Sequence, residues 1–444
     1  MIDRKKKVAF ITLGCPKNTV DSEIMLNDLV ENGFDVTNRV EDAQVIVINT
    51  CAFINDALEE SIQTVIQAGQ LKEQGVEKII VAGCMSKRYG REVFKELPEV
   101  DAIVDTANCL NISKAIRDSY KKEYVSYIGG GFDIDYLNKK RIIDPSLPYE
   151  YIKIAEGCSN NCTFCIIPKL RGGYKSRKPE DIIKECEEVI RLGKKELILI
   201  AQDTANYGID IFKSRKLHEL VTSVARLDSS VWVRILYTYP EFLYDELFDI
   251  YRLPNVVRYM DIPIQHVCDD IREKMNRKED MRFITEKIKT ARSLYPDIYI
   301  RTSLITGFPG ETEEHFQRML EFVQSDLVDF AGIFKFSPQE GTKAAEMPDQ
   351  VDEDTIERRF AALYEAVTEK LAKRAENSIG KTFEVMCDGV SDDGIFYQGR
   401  TKFQAPEIDT VVYFASEEPV DKGNIVRVKI LNAQQADYIG EVVP

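Results

Sequence analysis

Short apolar runs rich in β-branched and aromatic residues alternate with helical stretches along most of this 444-residue chain. Lys7-Val8-Ala9-Phe10-Ile11-Thr12-Leu13, Val45-Ile46-Val47-Ile48-Asn49-Thr50 and Lys78-Ile79-Ile80-Val81-Ala82 are three such runs, and a helical stretch from Ser22 to Asn32 ends at Gly33. Strands that alternate with helices form βαβ units, so this pattern predicts a parallel sheet. It recurs from about residue 149 to 374, with strand candidates Tyr151–Ala155, Glu196–Ala201, Trp232–Tyr237, Tyr259–Ile262, Tyr299–Ile305 and Asp329–Phe336. One intervening helix starts near Pro179 and ends at Gly193, as proline in a first turn and glycine past a last turn predict. Six units suit an open, partial β/α barrel. From about 377 the helical signal stops. Thr382–Cys387, Gly394–Thr401, Thr410–Phe414 and Ile425–Leu431 read as strands of a small all-β barrel or sandwich. Between the two α/β regions, residues 121–148 hold Gly129-Gly130-Gly131, Pro145 and Pro148 and read as a linker.

No apolar stretch reaches membrane-spanning length. Met1-Ile2-Asp3-Arg4-Lys5-Lys6-Lys7 is basic, but only a few apolar residues follow it, so it does not read as a signal peptide. Ten cysteines in such a chain point to metal or redox chemistry in a reducing compartment, the cytoplasm, rather than to disulfides. The net charge of −15 makes general nucleic-acid binding a poor expectation and favours a basic partner. The same charge also serves solubility.

Two sets of three cysteines carry the chemistry. Cys158, Cys162 and Cys165 lie within Glu-Gly-Cys-Ser-Asn-Asn-Cys-Thr-Phe-Cys, a C-x3-C-x2-C spacing. Three thiolates on one loop can hold three irons of a cubic 4Fe–4S cluster and leave the fourth iron open. Cys15, Cys51 and Cys84 are far apart in sequence, but each directly follows one of the first three strands, in Leu-Gly-Cys15, Asn-Thr-Cys51 and Ala-Gly-Cys84. Parallel strands end on one edge of their sheet, where ligands bind, so these thiols can converge. Gly14 and Gly83 would let backbone approach a bulky group. The competing readings are small buried hydrophobes for the second set and zinc for both. Zinc normally takes four protein ligands in a structural site, and none of His218, His266 and His315 stands beside either set in sequence. Cys109, Cys186, Cys268 and Cys387 read as packing residues.

The C-x3-C-x2-C run resembles the signature of the radical S-adenosylmethionine (radical SAM) enzymes. With both cysteine sets, the chain resembles a methylthiotransferase of that superfamily over nearly its whole length. The resemblance implies an N-terminal methylthiotransferase domain (1–121), a linker (122–148), a radical SAM core (149–374) and a TRAM-like β domain (377–444). Leu13-Gly14-Cys15-Pro16-Lys17-Asn18, followed by Asp21-Ser22-Glu23, resembles the subgroup that modifies a ribosomal protein. So do Ile200-Ala201-Gln202-Asp203-Thr204, Asp261-Ile262-Pro263-Ile264-Gln265-His266, Gly307-Phe308-Pro309-Gly310-Glu311-Thr312 and Gln404-Ala405-Pro406-Glu407-Ile408-Asp409. Asp105-Thr106-Ala107-Asn108 departs from the expected glycine-rich turn.

The resemblance implies two 4Fe–4S clusters, S-adenosyl-L-methionine and a flavodoxin-like or ferredoxin-like electron donor. It implies as substrate an aspartate of small-subunit ribosomal protein S-twelve, free or in the small subunit, modified to 3-methylthioaspartate. Residues 158–165 would start the radical chemistry, and the N-terminal set would hold the transferred sulfur. That division requires the two sets to face one cavity. Residues 377–444 hold eleven Asp and Glu against six Lys and Arg, a balance of −5 that suits a basic protein better than tRNA. Gln202, Asp203, Gly307 and Glu311 are candidate cofactor contacts, with ordinary turn chemistry as their alternative. Phe164 reads as shielding the cluster or packing near the adenine, and His266 as a packing or hydrogen-bonding residue rather than a proton-transfer group. A tRNA methylthiotransferase and a non-enzymatic iron–sulfur carrier are the competing functions.

Overall fold

The computed structural model describes residues 6–444; the basic N-terminal reading falls mostly on Met1–Lys5, outside the described residues. The first region is a six-stranded, all-parallel sheet in the order Asp35–Thr37, Lys7–Thr12, Val45–Thr50, Lys78–Gly83, Ala102–Asp105, Val125–Tyr127. Every residue of Val45–Thr50 is buried, because a central parallel strand has helices on both faces. The stretch 122–148, read as a linker from its glycines and prolines, contributes the edge strand Val125–Tyr127 and a short 3-10 turn, Ile134–Asn138. That turn buries Tyr136 and Leu137 against the rest of the molecule. Its hydrogen bonds and burial come from distant residues, which local composition does not register.

The second region has six parallel strands, as expected. Tyr149–Lys153, Glu196–Ile200 and Trp232–Ile235 pair as one sheet, and Tyr259–Asp261, Tyr299–Thr306 and Phe330–Lys335 as another. The two join where Val257 N donates to Val233 O at 2.9 Å and Thr238 N to Asp261 O at 3.0 Å. The strand ends differ from the sequence reading by one or two residues. Outward residues such as Ile152, Leu197 and Leu199 pack under the helices. The inward series Tyr149, Tyr151, Ile198, Trp232 and Tyr259 shares one apolar cluster with Val8 and Val45 of the first sheet and with Met386 and Ala405 of the last region. One continuous core therefore runs through all three regions.

Helix ends obey local rules. Glu353–Glu376, 24 residues long, starts at Asp352, whose carboxylate accepts from Thr355 N at 2.9 Å. It has Glu353 and Asp354 in the first turn and Lys373 and Arg374 in the last, which complements the helix dipole.

The last region is a closed five-stranded barrel, Thr382–Val390, Tyr397–Arg400, Val412–Ala415, Asp437–Val442 and Ile425–Gln434. It adds a fifth strand, Asp437–Val442, to the four read from sequence. Its Gln404–Asp409 segment plugs the partial barrel from the strands' amino ends. Glu407 accepts from Tyr149 Oη at 2.9 Å and Tyr151 Oη at 3.1 Å, and Asp409 from Tyr259 Oη at 2.7 Å. Beside the plug, Glu196 accepts from Arg234 Nε and Arg400 Nη1, both at 2.7 Å and all fully buried. Removing one member of a buried ion set leaves the others desolvated and uncompensated. Glu196→Gln should therefore lower unfolding stability by about 3–5 kcal/mol, read by urea denaturation.

Candidate metal centres

Cys15, Cys51 and Cys84 occupy the carboxyl ends of three neighbouring strands. Cys15 follows Lys7–Thr12 through Leu13-Gly14 and caps helix Pro16–Glu31, Cys51 directly follows Val45–Thr50, and Cys84 opens the short helix after Lys78–Gly83. The parallel register pairs Thr12 with Asn49 and Thr50 with Gly83, which sets the three thiols side by side on one edge. Glycine is required at position 14: its φ is +92°, and a Cβ there would stand 2.7 Å from Cys51 Cβ and 3.1 Å from its Sγ. Burial, then the nearby Cys84 and Cys15, push the Cys51 thiol up to about 12. Burial also raises Cys84, opposed by Arg171, whose Nη2 lies 3.8 Å from its Sγ.

The loop with Cys158, Cys162 and Cys165 is held from several sides. Gly157 has φ +76°, and a Cβ on it would fall 2.4 Å from Gly173 O, so only glycine fits. Cys158 N donates to Gly172 O at 3.1 Å and Cys165 N to Cys162 O at 3.0 Å. Thr163 binds the backbone of Met275 and Lys274, and Asn276 Nδ2 donates to Asn161 O at 3.0 Å. Burial, Asp203 and Cys162 push the Cys158 thiol up to about 12, and burial with the two other thiols raises Cys165. Two groups face Cys162 Sγ: Tyr239 Oη at 3.5 Å and Arg277 Nη1 at 3.8 Å.

Each set thus gathers three thiols, whose thiolate forms would repel one another, beside one guanidinium, Arg171 or Arg277. A cationic metal centre reverses that repulsion, because bound thiols deprotonate. Among the described residues, no group of three or more His, Cys, Asp and Glu side chains meets around a single metal ion. A cubic cluster makes a different demand, since it spreads its thiolates over three irons. Glycines 14 and 157 allow the close backbone approaches that bring each set's thiols into place, and three thiols beside one guanidinium suit the donor set of such a group. All ten cysteines are free, and Cys109, Cys186, Cys268 and Cys387 lie buried in apolar surroundings.

The two sets are joined by a buried ionic network. Arg171, which follows the core loop, contacts Cys84 of the N-terminal set, Asp21 at 2.5 Å and Asn18 at 2.5 Å of helix Pro16–Glu31, and Glu156 at 3.4 Å. Glu156 stands just before Gly157-Cys158 and is ion-paired with Lys153, which also binds Asp21 at 2.7 Å. Tyr136 donates to Glu156 at 2.7 Å. All seven side chains are at most 6% exposed. Burial would raise the Glu156 carboxyl, but Lys153 and Arg171 prevail and hold it at about 2. The network brings the carboxyl edge of the first sheet onto the carboxyl mouth of the partial barrel. Sequence reasoning missed Lys153, Glu156 and Arg171. The available signal was charge inside buried strand sequence, at Lys153 and Glu156, immediately before a cysteine run.

The remaining candidates divide. Gln202 reaches the mouth, where its Nε2 donates to Glu156 at 2.6 Å and its buried Oε1 has no hydrogen-bond partner among the described residues. Asp203 accepts from Asn160 of the cysteine loop at 2.9 Å and from Asn206 at 2.8 Å, and burial raises its carboxyl to about 6. It thereby ties the loop to the second core strand. Glu311 accepts from Gly307 N, Thr306 Oγ1 and Arg359 Nη1, so its carboxylate is engaged within the turn it closes. His266 is fully buried with its Nε2 3.5 Å from Glu311. Phe164 packs against the main core.

Comparison with known proteins agrees with this architecture. Residues 7–105 match the uncharacterized protein family UPF0004, 152–323 the radical SAM superfamily and 379–443 the TRAM domain. The ribosomal protein uS12 methylthiotransferase RimO of Acetivibrio thermocellus is 44% identical over 447 residues, covering 99% of each chain. That of Thermoanaerobacter sp. is 42% identical over 98% of this chain and 100% of its own. Among solved structures, the radical S-adenosylmethionine methyltransferase TsrM from Kitasatospora setae, with cobalamin and a 4Fe-4S cluster bound, shares the fold with TM-score 0.58 at 11% identity, over 77% of each chain. With this identity along its full length, the chain belongs to the ribosomal protein uS12 methylthiotransferase family of radical SAM enzymes.

Proposed function

We propose that this protein adds a methylthio group to the β-carbon of an aspartate of small-subunit ribosomal protein uS12, giving 3-methylthioaspartate. The observation that carries the reading is the placement of two three-cysteine sets on facing edges, tied together by Arg171. Cys158, Cys162 and Cys165 would hold one 4Fe–4S cluster with S-adenosyl-L-methionine, and Cys15, Cys51 and Cys84 a second. When bound, these groups supply one-electron cleavage of a sulfonium, hydrogen removal from an unactivated carbon and a sulfur to be methylated and transferred.

The protein's part is position and exclusion. Gly157 and Asp203 fix the core loop, and Gln202 presents a free carbonyl oxygen at the mouth. Gly307 and Glu311 shape the turn after Tyr299–Thr306 on the same edge. The Gln404–Asp409 plug packs over the barrel's other end, which helps to exclude water from that side. The acidic last region suits a basic ribosomal protein or the small subunit. No helix among the described residues is long and apolar enough to cross a membrane. We place the reaction in the cytoplasm, with a flavodoxin-like or ferredoxin-like protein as reductant.

Anaerobically reconstituted protein should carry about eight irons per chain, and the triple variant Cys15→Ala/Cys51→Ala/Cys84→Ala about half that. Iron and sulfide analysis reads both. With reductant and S-adenosylmethionine, the wild type should modify uS12 by one methylthio group, seen in the peptide mass. The triple variant should lose that product. Replacing Cys158, Cys162 and Cys165 by alanine should abolish 5′-deoxyadenosine formation, measured chromatographically. Modified tRNA nucleosides in place of modified uS12 would overturn the reading.

A further inference from the structure

Lys17 is 6% exposed, yet among the described residues its ammonium makes no hydrogen bond and no ion pair. Its single close partner is the ring of Tyr237, with Nζ 2.8 Å from the centroid. A ring face attracts a cation but is no substitute for acceptors of three N–H donors. The other buried ammonium at this mouth, Lys153, has Asp21, Glu156 and Tyr136 as partners.

The carboxylates near Lys17 are already committed. Asp261 takes the Tyr237 N–H at 2.8 Å on one oxygen and Arg301 Nη1 at 2.8 Å on the other. Glu156 is held by Lys153, Arg171, Tyr136 and Gln202. Tyr237 itself has a φ of +62°, a conformation that non-glycine residues rarely adopt, and it sits just past the carboxyl end of strand Trp232–Ile235. Backbone strain there aims the ring under a cation delivered from the other domain, two residues beyond Cys15. Cys15, two residues away, is the other group near Lys17 that can carry negative charge, and its thiolate would be engaged by a metal centre. A largely buried cation with no carboxylate in contact is unfavourable, and an incoming carboxylate lowers that cost.

The geometry points to Lys17 as the receptor for the carboxylate of the acceptor side chain, with Tyr237 as the platform that fixes its ammonium. This rests on the proposed function and deepens it. In an aspartate the carboxylate is bonded directly to the β-carbon. A cation that grips the carboxylate therefore fixes the reacting carbon to within one bond, at the mouth between the two cysteine sets. The same contact favours an acidic side chain over a nucleobase as acceptor, because a neutral base offers the ammonium no charge.

The test uses the reconstituted full chain and fluorescently labelled recombinant uS12, with its acceptor aspartate intact or replaced by asparagine. Fluorescence anisotropy should show the wild type binding the aspartate form about tenfold or more tighter, the range for a charge-assisted contact. In Lys17→Met the two forms should bind alike, and Lys17→Arg should restore most of the preference. Iron content reports whether each variant has assembled. A preference that persists in assembled Lys17→Met overturns the inference.

If Lys17→Met does not assemble, reductive methylation of the wild type followed by peptide mass analysis decides. The aspartate form should protect Lys17 and the asparagine form should not. Equal protection by both, protection by neither, or protection by S-adenosylmethionine alone overturns the assignment. A wild type that neither binds nor modifies aspartate-bearing uS12 overturns the proposed function itself. Normal modification with a Lys17-independent preference overturns only the role of Lys17.

Discussion

Everything at the mouth of this molecule depends on Arg171. Its guanidinium is 2% exposed and reaches Cys84 of one domain while pairing with Asp21 of that domain and Glu156 of the other. A planar fork with five N–H donors can satisfy such divergent partners at once, including a thiol, and Lys153 beside it bridges the same two carboxylates. Burying it requires the partners to be in place, and they are in place only when the first sheet's carboxyl edge sits on the partial barrel. The network therefore acts as a registration device between the two cysteine sets. Its stake is high in both directions: complete, it holds one docking geometry, and with a member missing it leaves charge stranded in a low-dielectric space.

The barrel interior follows the same logic along its axis. Along strand Tyr149–Lys153, inward positions run from Tyr149 and Tyr151, which grip the Gln404–Asp409 plug, to Lys153, which grips the first domain. The period-two alternation of a strand puts all three on one face. One strand thus links the last domain, at its amino end, to the first domain, at its carboxyl end. The shared apolar cluster through these layers packs three regions of different fold against one another.

Much of this was legible in the sequence because strand periodicity and strand-end cysteines are local signals. Six parallel core strands and the two cysteine sets could be placed from spacing and hydrophobic pattern alone. The fifth strand of the last barrel escaped because its hairpin turns at Gln435, with φ +55°, where no Asn-Gly or glycine marks a turn. The edge strand Val125–Tyr127 escaped because three residues carry too little periodicity. Lys153, Glu156 and Arg171 escaped for a deeper reason. Charged residues are read as solvent-facing unless their partners are known, and Asp21 lies more than 130 positions from Lys153.

The sequence by itself determined the two cysteine sets, the order of the folds and the chemistry their residue types allow, since each depends on neighbours within a few positions. The tertiary structure alone decided that the sets share one mouth, that Arg171 ties them together and that Lys17 is left largely buried with no carboxylate in contact among the described residues. Those facts depend on which distant carboxylates are already engaged. Charge compensation in a buried site is a property of the assembled whole, and no local pattern encodes it.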